Sequence, residues 1–476
     1  MIHLLRRIPV NSLYLFPLIV CLVLAASCKK PTDDDMALKF SCEYGIVTFD
    51  TVFTSIGSVT KKFTVHNTSN SDLTTDIFLV GGKSSFYSIN VNGLPGTDFK
   101  KVEIPKKDSI FIFVKVNINP KNQNNPFIVT DAIQFFTGTH KQEVKLLAYG
   151  QDARYIVADE ELGYKVVAGA NETVIWTKDR PYVVYGWAVI DSLGTLEIEA
   201  GTKVYFHRNA GLWAYRYSNL KVTGTLEEPV LFRGDRLEKD YDEDYEQWNR
   251  VWVNEGANVH INYAIITNAF VGIQVDPLPE SNVINVVPTT VKVENTIIKN
   301  TKHSSVIARF LSLEMTNCLI SNTEGCCLQL EGGQYIMKHL TIANYFKTER
   351  KNPACYISNY VAAYDKLPSD LKADFYNCII YGKNDKFETE TAVSKVQNAE
   401  LEVTFQNCLV KAKDNSSYFT NCWRNEDPKF TDIDKLDFTL QPSSPAIGKG
   451  KTDIGVLNDL LGKPRGDKPD LGAYQY

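Results

Sequence analysis

A short phrase returns along the second half of the chain: Ala264-Ile265-Ile266-Thr267-Asn268, Thr296-Ile297-Ile298-Lys299-Asn300, Cys318-Leu319-Ile320-Ser321-Asn322 and Leu340-Thr341-Ile342-Ala343-Asn344. Weaker echoes follow at Cys378-Ile379-Ile380 and Cys408-Leu409-Val410. Thr296 to Cys318 and Cys318 to Leu340 are both steps of 22 residues. Such a period, built of short β-rich runs, predicts stacked coils in which each repeat buries its apolar side only against its neighbours. The fold class expected is all-β, with a right-handed parallel β-helix as its main body; the hand follows the chirality rule for parallel crossovers.

The repeat assigns roles to its own residues. Aliphatic side chains such as Ile266, Ile298 and Ile320 are expected inside the coil. Asn268, Asn300, Asn322 and Asn344 are expected to stack at one turn, their amides bonded along the axis as in other stacked-strand structures; a row of Asn binding polysaccharide is the competing reading. Cys318, Cys378 and Cys408 each follow an Asn, which suits a small apolar filler better than a disulfide framework. Cys327 and Cys355 fall where neighbouring coils could bring them within bridging distance.

The period breaks between 264 and 296, 340 and 378, and 378 and 408. The extra residues, Asp276 to Pro288, Lys347 to Pro353, Tyr364 to Lys372 and Asn384 to Glu400, are expected to leave the coils as loops. Loops on a rigid scaffold are the places where contacts usually lie.

The N-terminus reads differently. Arg6 and Arg7, the apolar run Leu13 to Leu24, and Ala25-Ala26-Ser27-Cys28 have the order of a secretory signal. The end of that run resembles a bacterial lipobox, which implies cleavage after residue 27 and lipidation of Cys28. Lys29 to Asp35 then forms a charged tether, and its Asp33-Asp34-Asp35 cluster resembles the surface-export signal of Bacteroidota lipoproteins. Residues 37–152 hold alternating runs such as Ser109-Ile110-Phe111-Ile112-Phe113-Val114-Lys115-Val116, at the spacing of an antiparallel sandwich. The order of pieces, including His66-Asn67-Thr68-Ser69-Asn70, resembles an immunoglobulin-like module.

From about 170 to 476 the chain resembles the right-handed parallel β-helix surface lipoproteins of Bacteroidota. The phrases that carry this are Trp176-Thr177-Lys178-Asp179-Arg180-Pro181-Tyr182, Gly211-Leu212-Trp213, Thr225-Leu226-Glu227-Glu228-Pro229-Val230 and Gly234-Asp235-Arg236-Leu237-Glu238. A terminal segment running through Pro442-Ser443-Ser444-Pro445-Ala446-Ile447-Gly448 and Pro469-Asp470-Leu471-Gly472-Ala473-Tyr474 looks like the end cap of such proteins. The resemblance implies an outer-membrane placement facing the cell exterior, with the membrane as one partner through the lipid anchor. The expected organisation is a signal peptide 1–27, a tether 28–36, an immunoglobulin-like β-sandwich 37–152, a β-helix 153–424 and a cap 425–476.

Charge and motifs narrow the function. A formal net charge of -5 argues against an electrostatic nucleic-acid partner. There is no Gly-His-Gly, no His-Glu-x-x-His, no Gly-x-Ser-x-Gly and no Gly-x-x-x-x-Gly-Lys-Ser/Thr phosphate-binding loop. Arg309, in Val306-Ile307-Ala308-Arg309-Phe310-Leu311, is the one candidate base for a lyase, set against a strand residue facing solvent. Asp240, Asp242 and Asp244 invite calcium, the one cofactor left open, because hard cations want clustered oxygens; the EF-hand spacing fails, its sixth and twelfth positions being Tyr245 and Val251. Trp213, Tyr215 and Tyr217 alternate and so are expected to share one strand face. They, with Trp248 and Trp252, are either a stacking platform for sugar rings or core packing. The leading expectation is a surface protein that binds a polysaccharide or a protein without catalysis. A polysaccharide lyase or glycosidase and a structural or adhesive stalk are the alternatives.

Overall fold

The computed structural model describes residues 37–42, 45–54, 58–119, 127–278, 289–383, 388–413 and 417–476. The signal, tether and Cys28 lie outside these residues. The described chain is all-β apart from short 3-10 turns, and it divides between Asp152 and Ala153 into two compact units.

The first unit has two five-stranded sheets around one core. One sheet runs Leu38–Phe40, Lys61–Asn67, Ser109–Val116, Tyr87–Val91 and Leu94–Gly96; the other runs Ile46–Phe53, His140–Gln151, Phe127–Thr137, Leu73–Leu79 and Asp98–Ile104. Alternation places Ile110, Ile112, Val114 and Val116 inside, where they meet Ile133 and Val144 of the opposite sheet. The sheets are not wholly antiparallel as the sequence suggests, because Ile46–Phe53 pairs parallel to His140–Gln151. The His66-Asn67 phrase is a tied turn. The buried Asn67 amide donates to the carbonyls of Ser71, Ile104 and Pro105, and its oxygen accepts from Ser69.

In the second unit, successive strands visit three parallel sheets in turn, of eleven, nine and ten strands. This is the winding of a parallel β-helix. The first face runs from Arg154–Val157 to Trp423–Arg424, the second from Tyr164–Ala168 to Thr391–Ser394, and the third from Thr173–Trp176 to Phe419–Thr420. The repeated phrase lies on the first face. Ile266, Ile298, Ile320, Ile342, Ile380 and Val410 form one unbroken register column, and each is fully buried. Each such side chain contributes about 1.5–3 kcal/mol of burial, and a residue out of period would turn its side chain to the wrong side. On the third face Phe375, Phe405 and Phe419 stack along the interior at 4.5 and 5.0 Å.

The Asn stack is real but short at the expected turn. The Asn322 amide donates to Asn300 Oδ1 at 2.7 Å. Asn268 instead donates to the carbonyls of Asp242 and Asp244, and Asn344 binds the backbone of Thr323. A second ladder, at the turn entering the first face, joins Asn317 to Asn295 and Asn295 to Asn262 at 2.7 and 2.8 Å. The turn residues Asn295, Asn317, Asn377, Asn407 and Asn421 all have positive φ, which Asn tolerates better than other side chains. That backbone requirement explains why Asn precedes Cys318, Cys378 and Cys408.

Those three cysteines are buried and free, and so are Cys327 and Cys355. The expected bridge does not form: Cys355 faces Leu328, so Cys327 sits one residue off its rung.

The C-terminal segment packs against the flank of the first face. Phe430, Phe438, Leu440, Ala446, Leu471 and Ala473 pack along the outside of the first face, on Leu319, Ala343, Ile379 and Leu409. Arg465 donates to Asn317 Oδ1 at 2.9 Å, Gly472 N–H to the Asn377 carbonyl at 2.7 Å, and Ala473 N–H to Thr341 Oγ1 at 2.8 Å. Gly472 has φ +82, and a Cβ there would lie 2.5 Å from Thr341 Oγ1. A column of outward aliphatics on the first face is thereby removed from water.

Candidate functional site

The outer surface of the second face gathers most of the candidate residues. Its strands Trp187–Ile190, Gly211–Ala214, Val251–Val253, Val271–Val275, Ser304–Arg309 and Cys326–Glu331 are successive rungs. Trp213 stands directly beside Trp252 in register, and Trp252 beside Gln274. The Trp213 and Trp252 rings stack at 4.7 Å with planes 17° apart. Trp187 closes the group at 6.1 Å from Trp213 and 6.0 Å from Trp252. All three indoles are half-buried. Trp187 faces Gly211 on the next rung, where a Cβ would lie 2.5 Å from its ring. Gly211 is therefore what lets the Trp187 ring lean onto its neighbours.

The indole nitrogens are held by polar groups of the same face. Trp213 Nε1 donates to Asn254 Oδ1 and Trp252 Nε1 to Asp276 Oδ1, both at 2.6 Å. The Asn254 amide donates to the Asp276 carbonyl at 3.0 Å, and Gln274 Nε2 donates to Asp276 Oδ2 at 2.7 Å. Arg250 binds Gln274 Oε1 and Asn249 Oδ1. Burial, the largest influence on it, lowers the Arg250 guanidinium from its ordinary value. These bonds fix the Trp213 and Trp252 ring orientations, because an indole has a single donor and theirs is used.

Arg309 continues the same edge of the face, and it is not a solvent-facing strand residue. Its side chain is 12 % exposed and lies between Asp276, 5 % exposed, and Glu331, 0 % exposed. Arg309 Nε donates to Glu331 Oε2 at 2.7 Å and an NH1 to Asp276 Oδ2 at 3.3 Å. The N–H of Ala362 donates to Glu331 Oε1, and Tyr364, from the same turn, packs on Phe310 at 6.0 Å. Each carboxylate oxygen of Asp276 and Glu331 already accepts a hydrogen bond from the protein. Such a network holds Arg309 in place along the edge of the face. Arg309 to Glu331 is one 22-residue step, so the period could have revealed the pairing.

Other candidates separate. Trp248 is 1 % exposed, stacked on Phe206 at 4.3 Å with its nitrogen donating to the Thr267 carbonyl. It is core and cannot touch a ligand. Tyr215 packs edge-on to Trp213 at 5.5 Å and belongs to the site. Tyr217 does not share that face. The strand ends at Ala214, Tyr217 has φ +57, and its ring lies over Gly256. Trp187, which sequence reasoning missed, takes the place expected for it.

The acidic loop lies against the first face. Asp242 pairs with Arg233 at 3.2 Å, Glu243 with Lys347 at 3.3 Å, and the Asp242 and Asp244 carbonyls are held by Asn268. Asp240, Asp242 and Asp244 are exposed. Among the described residues no three His, Cys, Asp or Glu side chains converge as a metal-ligand set.

The interrupting loops are partly described. Residues 279–288 and 384–387 lie outside the described residues. The loop after Asn344 is drawn inward by Arg350, which meets Glu390 with both side chains 0 % exposed.

No protein-family profile and no curated protein matches the sequence. Among solved structures, the likenesses are fragmentary. A family 123 glycoside hydrolase from Clostridium perfringens, described in connection with glycolipid glycan hydrolysis, shares 7% identity over 24% of this chain and 26% of its own, with a TM-score of 0.18. The CooA pilin subunit from enterotoxigenic Escherichia coli shares 11% over 24% of this chain and 96% of its own, at 0.17. The alkylpurine DNA glycosylase AlkC of Pseudomonas fluorescens shares 11% over 27% and 33%, at 0.16. The chain thus spans about a quarter of the hydrolase.

Proposed function

We propose that the protein is a lipid-anchored outer-membrane protein facing the cell exterior, with an immunoglobulin-like first unit and a right-handed β-helix that binds a polysaccharide without catalysis. The observation that carries the binding reading is the Trp187–Trp213–Trp252 group on an outer face, with its indole nitrogens tied to Asn254 and Asp276. Sugar C–H faces pack on aromatic surfaces, and Asn249 and Arg250 lie beside them to meet hydroxyls. The enclosed Asp276–Arg309–Glu331 network favours binding over the lyase or glycosidase alternative.

A polysaccharide panel tested on residues 37–476 decides among the readings. Retardation in a polysaccharide-loaded gel without new reducing or unsaturated ends supports non-catalytic binding. Released oligosaccharides would establish the enzyme instead, and neither binding nor turnover would leave a stalk or a protein partner. For the anchor, Cys28→Ala should release the protein from membranes of its own host; unchanged retention would exclude lipidation as the attachment.

A further inference from the structure

Three thiols stand in one file near the end of the β-helix. Cys378, Cys408 and Cys422 immediately precede the first-face strands Ile379–Gly382, Leu409–Val410 and Trp423–Arg424 of successive coils. The pairings Ile379 with Leu409 and Leu409 with Trp423 place the cysteines on adjoining rungs. The N–H of Cys378 points to Cys408 Sγ at 3.4 Å, and the N–H of Cys408 to Cys422 Sγ at 3.4 Å. Neighbouring strands lie about 4.8 Å apart, inside the roughly 4.4–6.8 Å between Cα atoms that a disulfide spans. Cys318 occupies the same column but has Leu340 between it and Cys378, so it has no thiol neighbour there.

The file is not uniform. Cys378 and Cys408 are fully buried, whereas Cys422 is partly exposed, just before a terminal strand of two residues. The hydrogen bond from the Cys408 thiol holds Cys422 below its ordinary value, and burial pushes Cys408 up. A partly exposed thiol with a lowered pKa, next to a second thiol within reach, has the parts of an attacking and a resolving cysteine.

We propose that Cys422 and Cys408 form a redox-active dithiol pair that a small organic disulfide oxidises to a bridge closing the last coil. The Cys422 thiolate attacks one sulfur of the oxidant; a mixed disulfide forms and one thiol leaves. Cys408, deprotonated as the terminal coil opens, attacks Cys422 Sγ. The second thiol leaves, and the Cys408–Cys422 bond forms. The two protons of the pair end on the two departing thiols, and two electrons pass to the oxidant. The bridge joins strands already in register, so it staples the coil without rearranging it.

The test uses residues 37–476 in reduced form. Brief native alkylation should label Cys422 about tenfold or more faster than Cys408 and Cys378, following exposure and thiolate character. In a separate sample that has not been alkylated, incubation with oxidised glutathione should remove two titratable thiols, and peptide mapping should find Cys408 linked to Cys422. The Cys378→Ser variant should retain that link, and Cys422→Ser should lose it. Peptide mapping of the unaltered chain decides the matter even if a variant folds poorly. Cys422 left as a persistent glutathione adduct, no reaction, or a Cys378–Cys408 link with Cys422 free would each overturn the proposal.

Discussion

Glu390→Ala should be among the most damaging single substitutions in the β-helix. Glu390 accepts from both terminal nitrogens of Arg350 and from the N–H of Ala354. Arg350 also donates to the carbonyls of Asn344, Asn352 and Lys383, so it ties the loop after Asn344 to the coil beneath. Both side chains are 0 % exposed. Removing the carboxylate takes from the buried guanidinium its bonds to Glu390, and breaking one side of a buried ion pair costs about 3–5 kcal/mol. Replacing the pair together, Arg350→Met with Glu390→Leu, removes both charges. It takes a donor from each of the three carbonyls and strands the Ala354 N–H, however, although the Asn344 carbonyl still accepts from the Lys383 N–H; each loss costs about 1 kcal/mol when water can partly reach the group. The double variant should therefore be less stable than the original chain yet no worse than Glu390→Ala. Solenoids open locally, so the assay is amide hydrogen exchange across residues 344–355 beside global denaturant unfolding. Exchange in that segment should accelerate first in Glu390→Ala. A change below about 1 kcal/mol, with exchange there unaltered, would refute the claim that this pair holds the loop.

Acid should loosen the C-terminal segment from the first face. His339 is buried with Nδ1–H donating to the Gly472 carbonyl and Nε2 accepting from Asn377, and burial, then Arg465, keeps it well below its ordinary value. The unfolded state therefore takes the proton first. The contribution is complete above about pH 6.5 and is lost as the pH falls below it, by at most about 1.4 kcal/mol per pH unit; a pH series of melting temperatures checks it, and a His339→Asn variant should flatten the acid limb. Gly211→Ala should displace the Trp187 ring and press on the Arg250 carbonyl, 2.8 Å from the added Cβ, so tryptophan fluorescence should change and the melting temperature should fall.

The interior of the β-helix was legible because its rule is local. Ile266, Ile298 and Ile320 recur where one inward position per coil requires an aliphatic, and a fixed step reveals that without any contact being known. What depends on register between insertions was hidden. Trp187 joins Trp213 only because Gly211 lies between them, and Asp276 reaches Arg309 across a long excursion. The strand containing Trp213 stops at Ala214, and the left-handed backbone at Tyr217 breaks the alternation that had grouped it with Tyr215. The Pro-rich terminal phrases signalled an atypical end, but their resting place on Leu319, Ile379 and Leu409 is a long-range choice that no local pattern encodes. For Trp248 the sequence left a sugar platform and core packing both open, and only the stack on Phe206 shows it to be core.

The central claim is that the tryptophan group on the second face binds a glycan. The most direct measurement is isothermal titration of residues 37–476, the unaltered chain against Trp213→Ala/Trp252→Ala, with a polysaccharide that the panel identifies. Aromatic contacts contribute about 0.5–1.5 kcal/mol each, so the double variant should bind roughly fivefold to a hundredfold more weakly while keeping its β-sheet circular dichroism. Undiminished affinity in a folded double variant would contradict the account.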